Sequence, residues 1–362
     1  MLFIAGETMC QPIKPKPPIR PPEKTHSADG LRLSRRSLLQ YSAIGLANLA
    51  LTACTQRSAT GALKPSQSGS NSNSAVYVPI LTTVSASSLP SFAAFADRVK
   101  VMSDGTYYRI ESNGLPTHPM MIGIRSWQQQ VPLPQPFSGS NAFSIPIKPI
   151  LATNPISART ALYRGAIALA VNGVPIFNAL NNRGEDAYVF GELDDWGGHC
   201  GRADDYHYHT APLHLQTYVG VGNPIAYALD GFALYGLIEA DGSQPIGLDE
   251  FNGHVDKDGS YHYHATPTYP YINGGMRGVV QVKDDQIEPQ PAMTPIRPAQ
   301  QPLRGATISN FKDVGINSYA LEYTLNGKTN YVNYHFEADT YTFEFIDANG
   351  VRRVEVYKRK SR

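Results

Sequence analysis

From Val76 to about Val282 the apolar and polar positions alternate over short runs separated by tight turns, the pattern of half-buried strands rather than of helices. Asn113-Gly114, Asn172-Gly173, Asp230-Gly231 and Asp241-Gly242 are hairpin-type dipeptides, because Asn, Asp and Gly accept the positive φ that two-residue turns require. Ala166 to Val171 before one of these turns and Val174 to Phe177 after it predict a hairpin. Helical periodicity is weak, and Ser91 to Val99 is the best short helix candidate. A Pro- and Gln-rich stretch over 283–304 reads as a linker. Beyond it, Tyr319–Leu325, Tyr331–Phe336, Tyr341–Ile346 and Val351–Tyr357 alternate in strand fashion around Asn326-Gly327 and Asn349-Gly350, which predicts a small β-meander within 305–362. The expected fold is mainly β: a β-sandwich-like or irregular β domain over 76–282, the linker, then the meander as an accessory domain.

The chain before Val76 follows a different pattern. Arg35-Arg36 precedes a short apolar stretch that runs to Leu51 and ends in Leu51-Thr52-Ala53-Cys54. That arrangement is expected of a twin-arginine export signal over 1–53, ending in a bacterial lipobox whose cysteine, Cys54, receives lipid. The apolar stretch is shorter than the roughly 20 residues a membrane-crossing helix needs. The leader is long, and its start lies either at Met1 or downstream at Met9. Residues 54–75 are rich in Ser, Gly, Asn and Thr, cannot bury a core, and read as a flexible tether. The chain is therefore expected in a bacterial cell envelope, exported and held to membrane lipid by its N-terminus.

Charge adds an exclusion. The chain has 31 basic and 30 acidic residues with no basic stripe, so nucleic-acid binding has no electrostatic support. Of the three cysteines, Cys10, Cys54 and Cys200, only Cys200 stays free once the leader is removed and Cys54 is lipidated, so no internal disulfide is available. The 21 tyrosines, with many Gly and Pro, again favour strands and turns.

The chemistry is concentrated in the histidines. Seven of the ten lie between His199 and His264. Gly198-His199 is followed by Tyr206-His207-Tyr208-His209 and Pro212; Gly253-His254 is followed by Tyr261-His262-Tyr263-His264 and Pro267. One constant interval separates every matched pair, from His199 to His254, from His207 to His262 and from His209 to His264, which marks an internal repeat. In a strand, residues i and i+2 share a face, so His207 and His209 project together, as do His262 and His264, while the tyrosines between them turn to the core. Paired imidazoles chelate borderline divalent metals. His199 and His254, each the same short distance upstream of its pair, have enough chain to turn back and add a third nitrogen. Asp195, Asp204, Asp205, Asp256 and Asp258 are carboxylates available to complete or orient such a shell. His214 and Cys200 break the repeat and are secondary candidates. With one free cysteine, a thiolate-rich structural zinc site is disfavoured; zinc or copper ranks ahead of iron or manganese. The repeats can build one site or two.

These residues resemble the bacterial YHYH-domain proteins, over about Tyr107 to Val280. Ser112 to His118 resembles an early turn of that family and places His118 as a further candidate ligand or acid–base group. Asn172 to Ile176 resembles its central hairpin. Asp230 to Gly236 resembles the segment between the histidine blocks, with Asp230 as a carboxylate near the metal or simply a turn former. Tyr269 to Tyr271 and Arg277-Gly278 resemble its close. The resemblance implies an extracytoplasmic domain and hands over no reaction. Three functions are compatible with the residues: divalent transition-metal binding through the duplicated histidine clusters, a metal-dependent hydrolase using the same site, and a surface module for glycan or protein in which the histidines are structural. No His-Glu-x-x-His and no nucleophile elbow is present to favour the second.

Overall fold

The structure, a computed structural model, describes Thr82, Thr83 and residues 89–359. The export signal, Cys54 and the tether lie outside the described residues. The described residues fall in one compact unit. It is mainly β, with several sheets and a C-terminal five-stranded antiparallel meander. Among the described residues no helix is long and apolar enough to cross a membrane.

The centre of the molecule is an eight-stranded sheet. From one edge to the other its strands are Gly253–Val255, Tyr261–His264, Ala233–Tyr235, Ala226–Ala228, Ala166–Ala170, Pro175–Phe177, Tyr206–Tyr208 and Gly198–Cys200. The two middle strands pair antiparallel, with Tyr227 opposite Leu169. On either side the order is the same: a hairpin, then a parallel pair, then a second hairpin. Ile176 pairs parallel with Tyr208 in one half and Leu234 with Tyr263 in the other. The sheet is thus two copies of a four-stranded unit, and the repeat extends upstream of the histidine blocks into the Asn172-Gly173 and Asp230-Gly231 hairpins. The first of these is the hairpin expected from the sequence, with Gly173 at φ 81° in the turn.

Local chemistry explains each unit. The strand Ala166–Ala170 is buried at every position, so small apolar residues fill it on both faces. In the outer hairpins His199 lies opposite His207 and His254 opposite His262, so the register brings the upstream histidine onto the pair. Each hairpin is entered by the same turn. Asp194 and Asp249, which stand at the same interval as the histidines, receive backbone N–H groups from Gly198 and Gly253, each at 3.1 Å. Tyr206 donates its hydroxyl to Asp194 at 2.8 Å, and Tyr261 donates to Asp249 at 3.0 Å. Gly197 and Asn252 sit at matched positions with φ of 82° and 60°, a backbone state that Gly and Asn reach at least cost.

The glycine of each Gly-His pair has a steric cause. A Cβ at Gly198 would press on the Tyr206 hydroxyl and stand 2.7 Å from the His207 carbonyl; at Gly253 it would press on Tyr261 and stand 2.8 Å from the His262 carbonyl. The tyrosine crosses directly over the glycine of the neighbouring strand, and only hydrogen fits beneath it.

Around this sheet lie a four-stranded sheet (Thr82–Thr83, Lys100–Ser103, Tyr107–Glu111, Phe143–Pro146), a pair (Leu151–Ser157 with Gly275–Gly278), a short hairpin (Gln281–Lys283 with Gln286–Glu288) and the meander. The helix candidate is a 3-10 turn, Pro90–Phe95, that buries Phe92 and Phe95. The meander contains the four expected strands and one more, Thr307–Gly315, whose alternation is irregular because the ladder slips in two places. Tyr334 donates to the Pro132 carbonyl at 2.8 Å, and Ile308 exchanges backbone bonds with Ile124 and Gly123. The meander therefore shares the core of the main domain. The 283–304 stretch, read as a linker from composition, carries Arg297, whose guanidinium is buried against both oxygens of Asp204 at 2.6 and 2.9 Å.

Gly253→Ala is expected to lower stability by about 1–3 kcal/mol, the usual cost of overpacking. Thermal unfolding of the variant checks this; an unchanged midpoint would remove the steric account of the glycine.

Candidate metal centres

The six repeat histidines form two separate groups. His199, His207 and His209 make one; His254, His262 and His264 make the other, joined by Glu239. Within each group one ligand atom per residue lies within 4.8 Å of all the others.

The second group has the fuller geometry. His254 Nε2 and His262 Nε2 are 3.0 Å apart, and His262 Nε2 and His264 Nε2 are 3.0 Å apart. Glu239 Oε1 is 3.0 Å from His254 Nε2 and 3.3 Å from His264 Nε2, and Glu239 Oε2 is 3.6 Å from His262 Nε2. The outer nitrogens are anchored: His254 Nδ1 to the Ile246 carbonyl and His264 Nδ1 to the Gly236 carbonyl, both at 3.0 Å, with Asp256 Oδ2 3.8 Å from His262 Nδ1. A carbonyl only accepts, so Nδ1 of His254 and of His264 carries hydrogen and their Nε2 atoms present lone pairs. Two such lone pairs and a carboxylate converge around His262 Nε2, more acceptors than the one hydrogen that nitrogen could offer them. Tetrahedral zinc with Zn–N of about 2.0–2.1 Å separates its ligands by roughly 3.3 Å, close to the spacings here.

The first group repeats the scheme. His209 Nε2 is 3.0 Å from His199 Nε2. His209 Nδ1 donates to the Asn178 carbonyl at 2.5 Å, and His207 Nδ1 meets the Asp205 carbonyl at 3.0 Å and its carboxylate at 3.2 Å. Phe177 stacks flat on His207 with ring centres 3.8 Å apart; Tyr235 packs edge-on against His262 at 5.0 Å in the other group. The first group opens on a cleft of about 630 Å³, lined by Asn178, Arg183, Glu192, Arg202, Asp205 and Arg297 among others.

Burial favours the neutral form of four of these imidazoles, His199, His209, His262 and His264. It pushes His209 down to about 3, with the neighbouring His207 adding to the effect. His199 is held well below its ordinary value by burial and by His209 and His207. His262 and His264 are lowered by burial first. A neutral imidazole is the form that binds metal.

The remaining candidates are placed as follows. Asp205 and Asp256 lie beside the outer nitrogens of His207 and His262, where they orient the rings. Asp230 lies on the tyrosine side of the sheet, accepting from the Tyr263 hydroxyl at 2.5 Å, Gly278 N at 2.9 Å and Phe232 N at 3.2 Å. Asp195 is exposed and joins neither group. His118 is also apart from both. Its Nδ1 donates to the Pro119 carbonyl at 2.9 Å, so its Nε2 accepts from the Tyr208 hydroxyl at 2.8 Å. Tyr208 points opposite to His207 and His209, which puts His118 across the sheet from them. There it stacks on Trp196 and meets His214 edge-on. Cys200 is buried in the core, and burial pushes its thiol well up, so it offers no thiolate.

Sequence reasoning missed Glu239 and the carbonyl anchors at Asn178 and Gly236. The signal was present at a second interval. Asn172 to Asp230, Phe177 to Tyr235 and Asn178 to Gly236 are equally spaced, each step three residues longer than the histidine interval, because the intervening loops differ in length.

Residues 142–244 match the family model described as YHYH protein, so the chain contains a YHYH domain. The match is narrower than the 107–280 span of the resemblance and stops before the second histidine block. No curated protein and no solved structure matches the chain.

His118 and His214 generate a pH dependence. Burial depresses them to about 4 and about 3, from 6.5 in the unfolded chain. Between those values the unfolded state binds more protons, so stability is full above about 6.5 and is lost as pH falls towards 3–4. The melting temperature of chelator-treated protein is expected to drop by several degrees from pH 7 to 4.5, and His118→Gln should flatten part of that slope in a melting series.

Proposed function

We propose that this protein binds divalent transition-metal ions at two separate centres, one on each half of the duplicated sheet. The observation that carries the reading is the convergence at the Glu239 centre, where the Nε2 atoms of His254 and His264, each turned inward by a carbonyl behind its ring, lie 3.0 Å from His262 Nε2 and 3.0 and 3.3 Å from the Glu239 carboxylate. One proton on His262 Nε2 could satisfy one of these acceptors but not all three, since His254 and His264 each have their one proton on the outer nitrogen and Glu239 adds a carboxylate. The nitrogen-dominated set suits zinc or copper(II) ahead of iron or manganese, and suits neither calcium nor magnesium, which take oxygen. The proposal includes location: the twin arginine and Cys54 support export to the cell envelope and attachment to membrane lipid.

Elemental analysis of the untagged protein is expected to find two equivalents of a transition metal. His207→Ala with His209→Ala should remove one, and His262→Ala with His264→Ala the other. Less than half an equivalent in wild-type protein that has been dialysed against zinc would defeat the reading and leave the histidines a structural role.

A further inference from the structure

The two centres differ in the number of groups that meet there, and the difference can be located in the repeat. Phe177 and Tyr235 occupy the same place against His207 and His262, and the carbonyls of Asn178 and Gly236 anchor His209 and His264. Both pairs keep the longer of the two repeat intervals, and the same step back from Glu239 lands on Asn181. The fourth ligand of one centre is thus an amide in the other. Nor is that amide directed at the histidines. Its nitrogen donates to Glu185 Oε2 at 3.2 Å and Glu192 Oε1 at 3.1 Å, and its oxygen accepts from the backbone N–H of Arg183 at 2.9 Å and Glu185 at 3.1 Å. Among the described residues no carboxylate joins His199, His207 and His209 at ligand distance.

The side left without a ligand adjoins the 630 Å³ cleft. Its walls carry four arginines. Arg183 is paired with Glu185 and Glu192, and Arg297 with Asp204. Arg164 and Arg202 are exposed at the same cleft, and Arg202 follows Gly201, where a Cβ would come within 3.0 Å of His207 Cε1. A divalent ion on three neutral imidazoles keeps its whole charge, whereas Glu239 cancels half of it at the other centre. Three protein ligands with a free position is the arrangement of zinc sites that accept an outside ligand; four is that of closed structural sites.

We propose that the His199–His207–His209 centre holds its metal with one coordination position open to the cleft, that this position takes an anionic oxygen donor, the carboxylate or phosphate group of a small molecule, and that Arg202 assists at the rim. The Glu239 centre is closed. The proposal rests on the metal-binding reading above.

Cobalt(II) loaded into the chelator-stripped full chain serves as probe, with metal content measured in parallel and the visible d–d bands titrated separately with acetate and with inorganic phosphate in perchlorate buffer. Wild type should bind two cobalt ions and show a saturable spectral shift with one anion per chain; a response to acetate alone assigns a carboxylate ligand, to phosphate alone a phosphate. The shift should persist in the His262→Ala, His264→Ala variant and vanish in the His207→Ala, His209→Ala variant. Asn181→Glu should keep two cobalt ions and lose the shift, Arg202→Gln should weaken anion affinity about fivefold, and Glu239→Asn should add a second responsive centre, which covers the case in which Asn181→Glu does not fold. Two bound cobalt ions with bands unmoved by either anion, or a shift that survives loss of His207 and His209, would overturn the open position while leaving the metal reading intact. A wild-type chain that takes up no cobalt would overturn both.

Discussion

The tyrosine hydroxyl bound to an aspartate at the entry of each outer hairpin, buried at Asp194 and exposed at Asp249, is the constraint from which the rest of the site follows. Tyr206 on Asp194 and Tyr261 on Asp249 tie the Tyr-His-Tyr-His strand to the turn that precedes it. The same carboxylates collect the backbone N–H groups that close that turn. With the turn and the strand locked to one another, the ladder registers His199 against His207 and His254 against His262. A slip of one residue would turn the histidines into the core and the tyrosines outward, and would leave the aspartates without their hydroxyl partners.

On the histidine face the design is electrostatic. Each ring but one is held from behind by a carbonyl that accepts its proton, so the inner nitrogens meet as acceptors. Burial disfavours protonation of His199 and His209, and neighbouring imidazoles add to the effect in both. The protein thus restricts the easiest relief of the clustering, which is to share protons, and leaves groups that could hold a metal ion. The carboxylates at Asp205 and Asp256 act one step further out, where they favour the ring orientation without neutralising the centre.

Duplication and divergence divide cleanly between the two faces. The tyrosine side is kept nearly the same in both halves, since it carries the core, although Tyr208 leans on Asn172 and His118 while Tyr263 leans on Asp230 and also accepts from the Arg277 N–H. The histidine side differs at Asn181 and Glu239, of which only Glu239 joins its histidine group, and in what covers the rings, at Phe177 and Tyr235. Arg297, drawn from the Pro-rich stretch onto Asp204, lines the cleft beside the three-histidine centre.

Much of this was legible in the chain because it depends on period and spacing. Alternation by two determined that His207 and His209 share a face and that Tyr206 and Tyr208 oppose it. The constant interval between the histidine blocks determined that two equivalent units exist, and Asn-Gly and Asp-Gly determined where hairpins turn. These are local properties of backbone geometry, and sequence records them directly. Whether the repeats meet in one centre or stay apart was left to the antiparallel pairing of Ala226–Ala228 with Ala166–Ala170, which places the two histidine hairpins at opposite edges of the sheet. Glu239 joins the second histidine group, and His118 is set apart on the far side, through contacts between segments remote in the chain. Loop length hid the first, since a three-residue difference breaks the interval that would have exposed it. The second depended on which side of a strand a loop crosses, and that is settled by packing, to which the spacing of residues along the chain is indifferent.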